Sequence, residues 1–324
     1  MQILVTGGAG YIGSHVVLAL RDSGHSVLVL DNLSAGHRRA VPADTSFVQM
    51  DVSDSDAIGN IIEHHRVDSV IHFAGSVVVP HSMRDPLEYY RNNTCASRSL
   101  INCCVKKGVR HFVFSSTAAV YGSPAVIPVS EDMPTVPINP YGTSKLMTEW
   151  MLRDAAAAHD LTFVVLRYFN VAGADPSGRT GQSTPFATHL VKVACEAAVG
   201  RREYIEIFGS DYETPDGTCI RDYIHVSDLA DAHCRALEHL ASGGASIVLN
   251  CGYGRGHSVL EVLSSVQRVA ATRLNIRPAP RRPGDSPKLV ADTAKLRHVL
   301  DWRPRLDSLD AIVQTALDWE RRRF

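Results

Sequence analysis

Thr6-Gly7-Gly8-Ala9-Gly10-Tyr11-Ile12-Gly13 lies between a short β-branched run, Ile3 to Val5, and a stretch of helical character, Tyr11 to Ser23. A glycine turn that carries a strand into a helix is the setting in which backbone amides at a helix start receive a pyrophosphate. Gly7 and Gly10 permit backbone conformations and a close approach that a side chain would block. Gly13 lets the helix pack tightly on its strand. The spacing is Gly-x-x-Gly-x-x-Gly rather than Gly-x-Gly-x-x-Gly, so the strand-turn-helix context carries the reading.

On either side of that turn, apolar runs rich in β-branched residues alternate with longer helical segments. The runs are Ile3 to Val5, Ser26 to Leu30, Ser46 to Met50, Ser69 to Phe73, His111 to Phe114 and Thr162 to Arg167. Helices are expected over Tyr11 to Ser23, Asp54 to His65, Pro86 to Lys107 and Gly142 to His159. Alternation of this kind gives an α/β fold, a doubly wound parallel sheet with helices on both faces, the Rossmann arrangement. After Asn170 the pattern loosens into Gly173 to Pro185, read as a loop between lobes. Residues 1–172 are thus expected to form the dinucleotide-binding domain, and 173–324 a smaller mixed α/β substrate lobe with segments that cross back to the first. Within that lobe, helices are expected around Phe186 to Val199, Ser227 to Leu240 and Ser258 to Ala271, and strands at Tyr204 to Phe208 and Ile247 to Asn250. The tail from Leu306 carries Leu309, Ile312, Val313, Ala316, Leu317 and Trp319 at helical spacing, which predicts a docked terminal helix with a solvated Arg321-Arg322-Arg323 end.

Asp31 closes the second strand, where a carboxylate accepts hydrogen bonds from adenosine ribose hydroxyls and repels a 2′-phosphate, so NAD is expected over NADP. Asp51 and Val52, closing the third strand, are placed to meet adenine, with an ordinary strand-end acid as the alternative. At 324 residues the chain can bury about three quarters of its unfolded surface. A formal net charge of −1 gives no bulk attraction to nucleic acid or anionic membrane. Strand-like sequence starts at Gln2 and no apolar run approaches the ~20 residues of a membrane span, so a soluble, cytoplasmic protein without a leader is expected. The seven cysteines have no Cys-x-x-Cys spacing or companion histidine pattern, so they are expected to be small buried or helical residues and no metal is expected.

Chemistry enters with Asn139-Pro140-Tyr141-Gly142-Thr143-Ser144-Lys145. Residues i and i+4 share a helix face, so the Lys145 ammonium can lie near the Tyr141 phenol and favour its ionised form. A tyrosine titrates ordinarily near ~10, and service as a base near neutrality needs a fall of roughly three units, about 4 kcal/mol. An ammonium and a cationic nicotinamide in a poorly solvated cleft can supply it, which points to oxidoreductase chemistry.

Taken together, the glycine turn, Asp31-Asn32-Leu33, His72-Phe73-Ala74-Gly75, Ser115-Ser116-Thr117-Ala118-Ala119-Val120-Tyr121-Gly122, Tyr141 to Lys145 and Arg167-Tyr168-Phe169-Asn170 resemble the extended short-chain dehydrogenase/reductases. Val199 to Arg202, Ile207-Phe208-Gly209, Asp211-Tyr212, Asp216-Gly217-Thr218, Ile220 to Val226 and Pro280 to Asp285 resemble, within them, the UDP-glucose (UDP-galactose) 4-epimerases. The resemblance spans Met1 to about Trp319. It implies reversible C4 epimerisation of a UDP-hexose by transient oxidation to a 4-keto sugar, with NAD tightly bound and restored in each cycle. The alternative within the family is a UDP-N-acetylglucosamine or UDP-pentose 4-epimerase. Tyr141 would take and return the O4 proton, Lys145 would also bind the nicotinamide ribose, and Thr117 would hydrogen-bond O4. The resemblance adds Tyr11, Ile12, Asn32 and Ser34 to the cofactor site, then Phe73, Ala74, Asn92, Ser115 and Phe169. Dehydratases of this fold need a carboxylate beside the threonine; Ala118 and Ala119 stand there, and a methyl group moves no proton.

On the substrate side the resemblance implies that Asn170 contacts phosphates or sugar and that Arg221 and Arg282 grip the pyrophosphate, where a planar guanidinium gives paired charge-assisted hydrogen bonds. Arg221 has the alternative of pairing with Asp222 or Asp228. Asp285 would hold a ribose hydroxyl, Phe208 would line the uridine site or simply be buried in its strand, and His189 with Leu190 forms the uracil-binding segment. Val77 stands where many members have a lysine that helps hold cofactor phosphate, which implies weaker retention. Leu289 replaces a tyrosine of narrow-specificity members and leaves room beside the sugar C2 substituent. A homodimer through the helices at about Pro86 to Lys107 and Gly142 to His159 is also implied.

Overall fold

The computed structural model describes residues 1–184, 187–282 and 284–322. β1 (Gln2–Thr6) passes through the glycine turn into α1 (Tyr11–Asp22), followed by β2 (Ser26–Asp31), β3 (Ser46–Gln49), α2 (Ser55–His65) and β4 (Ser69–His72). Next come α3 (Val79–Arg84) and α4 (Pro86–Tyr89), which continues through a π-helical stretch, Tyr90–Cys95, into α5 (Ala96–Lys106). β5 (His111–Thr117) ends in a 3-10 turn, Ala118–Tyr121, before α6 (Pro140–Ala158), β6 (Thr162–Tyr168) and β7 (Asn170–Ala172). The remaining elements are α7 (Leu190–Ala198), β8 (Ile205–Phe208), β9 (Ile220–His225), α8 (Val226–Ala241), β10 (Ile247–Cys251), β11 (Gly256–Ser258), α9 (Val259–Ala270), β12 (Ile276–Ala279), β13 (Lys288–Leu289), α10 (Ala294–Leu300) and α11 (Leu309–Arg322).

Two compact units result, and the chain passes between them more than once. The first comprises 1–122, 135–167 and 230–249; the second comprises 123–134, 168–229 and 250–324. The main sheet of the first has the order β3-β2-β1-β4-β5-β6-β10. β1 is parallel to both β2 and β4, β2 to β3, and β4 to β5. The chain runs outward from β1 to β3 and returns on the other side at β4, so the strand order reverses between β1 and β4. In doubly wound sheets ligands bind outside the carboxyl ends of the strands at such a reversal. Helices cover both faces, which is why the central strands are apolar almost without interruption: Ile3, Leu4, Val5, Val70, Ile71, Phe112, Val113 and Phe114 are buried.

The second unit builds a small sheet around β9, which pairs with β7, β11 and β13, and a separate parallel pair, β8 with β12. Its core includes Val191, Ala194 and Cys195 of α7, Val262, Leu263 and Val266 of α9, and Ile312, Val313, Ala316 and Leu317 of α11. The terminal helix docks as its spacing predicts, with Arg321 and Arg322 exposed; Arg323 lies outside the described residues. Asp222 is buried within β9, and its carboxylate accepts hydrogen bonds from the amides of Tyr253, Gly254 and Ala291. Burial pushes its pKa up to about 6 against those hydrogen bonds.

Two expectations change. The helix expected from Phe186 starts at Leu190, with His189 as its cap residue; Phe186 is outside the described residues. The helix expected unbroken over Pro86 to Lys107 contains the π-helical stretch. The cysteines are as expected: Cys95, which is exposed, lies within that helical stretch, and the other six are buried.

Candidate active site

In the first unit the glycine turn is held by steric necessity. Gly7 has φ +70°, and a Cβ there would lie 2.6 Å from the Ala74 amide nitrogen. A Cβ on Gly13 would meet the Gly7 carbonyl oxygen at 2.2 Å, so any side chain there would force the turn off the helix. Gly10 caps α1 without contributing a side-chain acceptor to the helix start, as suits an end that receives an anion. Asp31 fastens the turn to the end of β2: Oδ2 accepts from the Ala9 amide at 2.9 Å and Oδ1 from the Leu33 amide at 2.8 Å. Each oxygen keeps a lone pair for a ribose hydroxyl.

Beside it, Asn32 Nδ2 donates to Asp51 Oδ2 at 2.8 Å, and the Ser34 amide donates to Asn32 Oδ1. Hydrogen bonds from Ser53 hold the exposed Asp51 carboxyl below the ordinary range. Val52 is buried in the core beneath. Tyr11 and Ile12, the first residues of α1, are half-buried, and the Tyr11 ring meets His15 edge-on at 5.4 Å.

Asn139 supplies the N-cap of α6, accepting from the Gly142 amide at 2.9 Å, and Pro140 stands at the first helical position. This start fixes Tyr141 in the first turn, 6% exposed, with Lys145 one turn later on the same face, 3% exposed. Lys145 Nζ donates to the Ser115 carbonyl at 3.1 Å and lies 4.9 Å from the centre of the Phe114 ring. Burial lowers its pKa to about 8, opposed by the carboxylate of Glu149. Thr117, the last residue of β5, accepts from the Ala119 amide at 3.1 Å through Oγ1, which leaves its O–H to donate elsewhere. The Tyr89 and Tyr141 rings are edge-on at 6.5 Å.

The structure also brings together residues to which the sequence assigned no role. Asn93, buried in the π-helical stretch, accepts from the Ser76 amide at 2.7 Å and donates to Ser144 Oγ at 3.0 Å. Ser144 Oγ in turn donates to the Tyr141 carbonyl at 2.8 Å. The neighbouring Asn92, expected at the cofactor site, donates to Ser76 Oγ and Glu88 Oε1. His72 hydrogen-bonds Thr6 Oγ1 at 2.6 Å and Ser97 Oγ at 2.8 Å; burial, with Lys145 nearby, pushes its pKa down to about 3, so it is neutral. A π-helical turn embedded in an α-helix is itself a signal of function, but no sequence spacing announces it.

These residues fit NAD. The glycine turn admits no Cβ at Gly7 or Gly13, and Ser115 Oγ is buried without a hydrogen-bond partner among the described residues, a polar atom in want of a ligand. Phe73 and Ala74, half-buried at the end of β4, continue the same edge, with the Phe73 ring 4.8 Å from that of His233. Val77 is 45% exposed.

In the second unit, Arg221 on β9 lies beside Leu289 on β13, its register partner, and Arg221 Nη2 approaches Asp285 Oδ1 at 3.8 Å. Asp222 is held by backbone amides and Asp228 by Tyr253 Oη and the Arg305 and Leu306 amides, so neither is the partner of Arg221. The Arg282 guanidinium stacks 3.5 Å over the half-buried Phe208 ring, so Phe208 is not an ordinary core residue. Asn170 pairs in register with Tyr223, and the Phe169 amide just before it donates to the Cys251 carbonyl. His189 Nδ1 hydrogen-bonds Gln182 Nε2 at 2.8 Å, immediately before Leu190 opens α7.

Among the described residues, no group of three or more His, Cys, Asp or Glu side chains gathers as a metal site would, and no helix is long and apolar enough to cross a membrane. Residues 3–252 match the model of the NAD dependent epimerase/dehydratase family. The UDP-glucose 4-epimerase of Azospirillum brasilense is 60% identical over 99% of this chain and 92% of its own. The crystal structure of UDP-glucose 4-epimerase from Brucella ovis in complex with NAD is 44% identical, with a TM-score of 0.95 over 98% of this chain and 97% of that one. The enzyme of the same name from Bifidobacterium longum, in complex with NAD+ and UDP, is 37% identical, with a TM-score of 0.96 over 100% of this chain and 99% of that one. On the strength of this match and of the glycine turn, Tyr141 and Lys145, the chain belongs to the NAD dependent epimerase/dehydratase family.

Proposed function

We propose that the protein interconverts UDP-galactose and UDP-glucose by reversible epimerisation at C4, with NAD bound throughout the cycle. The observation that carries this reading is the buried Tyr141 and Lys145 on one face of α6, with Lys145 seated on the carbonyl of Ser115 at the end of β5. NAD supplies the acceptor, and afterwards the donor, of a hydride at C4. Tyr141 takes the O4 proton while C4 is oxidised and returns it when C4 is reduced. The Lys145 ammonium stabilises the phenolate in surroundings that screen it little. Thr117, whose oxygen is already engaged by Ala119, donates to O4 and orients it. Gly7, Gly10, Tyr11, Ile12 and Gly13 hold the pyrophosphate of the cofactor; Asp31, Asn32 and Ser34 its adenosine ribose; Asp51 and Val52 its adenine. Phe73, Ala74, Asn92, Ser115 and Phe169 hold the remainder.

Arg221 and Arg282 bind the UDP diphosphate, Asn170 the phosphates or sugar, Asp285 a ribose hydroxyl, and His189, Leu190 and Phe208 the uridine. Leu289, short and without a hydroxyl, leaves space for a substituent at C2. A homodimer forms through α4, α5 and α6, a reading supported by the exposure of Leu87 (76%) and Trp150 (46%) on these helices. The test is incubation of the purified protein with UDP-galactose and no added nucleotide. UDP-glucose is expected to accumulate to a constant ratio without net release of NADH; steady release of NADH from the sugar would instead indicate a dehydrogenase.

A further inference from the structure

One buried carboxylate in the first unit has no part in the scheme above. Glu149 is 5% exposed and stands one helical turn beyond Lys145, so Tyr141, Lys145 and Glu149 form a single stripe along α6. Its carboxylate is gripped by Arg167 of β6, whose Nε donates to both oxygens at 3.1 Å and whose Nη2 donates to Oε2 at 2.6 Å. Arg167 is itself 6% exposed and donates through Nη1 to Tyr121 Oη at 2.9 Å. The remaining donor to Glu149 is the hydroxyl of Ser116.

Two of the three successive residues at the end of β5 are therefore tied down to α6. The Ser115 carbonyl accepts from Lys145, the Ser116 hydroxyl donates to Glu149, and Thr117 is the proposed partner of the sugar O4. The two ties come from side chains one turn apart on one helix, so they fix the direction of the strand end as well as its distance from α6. The titratable groups and rings around Lys145 are Tyr141 and Glu149 on its own helix, His72 on β4, and Phe114 on β5. Tyr89 of α4 faces Tyr141, and Tyr121 of the 3-10 turn faces Arg167. Among these, Glu149 is the carboxylate; His72 is neutral and hydrogen-bonded on both nitrogens. A buried ammonium with no carboxylate near it tends to release its proton.

We propose that Glu149 is a positioning residue for the reaction: locked by Arg167, it holds Ser116, and with it Thr117, against α6, and it keeps Lys145 in the ammonium form that Tyr141 requires. The inference rests on the epimerase reading above, and the experiment separates the two. The kcat of UDP-galactose conversion is measured against pH for the wild type, Glu149→Gln, the double variant Glu149→Gln/Arg167→Met, and Ser116→Ala, with thermal unfolding of each. Removing one partner of a buried ion pair destabilises strongly, whereas a neutral pair in its place is often tolerated, so the double variant reports even where the single one fails to fold.

Loss of activity on the alkaline side, where Lys145 gives up its proton, is expected to begin about one pH unit lower in both Glu149 variants. The double variant should recover much of the unfolding temperature lost by the single one. Ser116→Ala should lower kcat several-fold with the alkaline limb unmoved. A wild-type alkaline limb in a folded Glu149 variant, with only the unfolding temperature changed, would reduce Glu149 to a brace. Wild-type kcat in Ser116→Ala would remove the positioning half. Failure of the wild type itself to form UDP-glucose would instead overturn the epimerase reading.

Discussion

The charged groups at the proposed proton-transfer site of the first unit and at the proposed diphosphate site of the second are treated in opposite ways. In the first, Lys145, Glu149 and Arg167 are between 3% and 6% exposed and are hydrogen-bonded within the unit. In the second, the Arg221 and Asp285 side chains are 14% and 37% exposed and meet only at 3.8 Å, and Arg282 rests on an aromatic face with its donors uncommitted to any carboxylate among the described residues. The difference follows from what each must do. A proton-transferring phenol needs a nearby cation whose field is little screened, and the environment that provides it is dry and fully bonded. A diphosphate site needs guanidinium donors that are still available when the ligand arrives. On the proposed reading, proton transfer falls to groups whose hydrogen bonds are already made, and diphosphate binding to guanidinium groups whose donors are largely open.

That contrast can be broken in order of expected effect. Tyr141→Phe should lower kcat by about 10³-fold or more with little change in KM, because it removes the proton-transfer group while leaving the volume and the second unit intact; steady-state kinetics with UDP-galactose would check it, and a variant within tenfold of wild type would dismantle the assignment. Arg282→Ala should act on binding, raising KM for UDP-galactose by about 10- to 100-fold, in keeping with the loss of a charge-assisted hydrogen bond. Calorimetric titration with UDP should show the same loss, and an effect on kcat alone would mean that the division between units is wrong.

His72 sharpens the comparison through stability. Its pKa in the fold, about 3, lies below the ordinary histidine value, so on acidification the unfolded chain takes up a proton that the folded chain refuses. Its stabilising contribution is complete above about pH 6.5 and is lost as the pH falls below that. Between pH 6 and pH 4 it should account for about 1.4 kcal/mol of lost stability per pH unit, a slope that His72→Asn should remove in denaturant titrations. The smallest effect is expected from Leu289→Tyr. UDP-N-acetylglucosamine turnover should fall several-fold relative to UDP-galactose, as a ring fills the space beside C2; an unchanged ratio would show that Leu289 does not set that boundary.

Much of the first unit is legible in the sequence alone. The alternation of β-branched runs and helical segments locates β1 to β6, and the Asn-Pro-Tyr start places the first turn of α6, because local chemistry and burial agree there. The second unit was less legible. β9 carries Arg221 and Asp222 in mid-strand, so its sequence does not alternate, and Asp222 is buried there only because three amides from distant segments converge on it. β11 and β13, of three and two residues, are too short for any periodicity to register. At the site, the motif residues were readable, but the roles of Asn93, Ser144 and Glu149 were not. Those roles depend on partners 17 to 51 positions away along the chain.

The stretch Tyr90–Cys95 has a practical consequence for anyone editing this chain. A π turn amounts to one surplus residue in a helix, and each residue of an α-helix advances the side-chain direction by about 100°. Deleting one position from the stretch would let the helix close into an uninterrupted spiral, an outcome that spectroscopy of secondary structure would score as success. The residues on one side of the deletion would nevertheless be rotated by that angle relative to those on the other, carrying the amide of Asn93 away from Ser76 and Ser144. Leu100, Ile101 and Cys104 of α5, buried in the core, would turn with it, so the deletion is expected to cost stability as well as the Asn93 contacts.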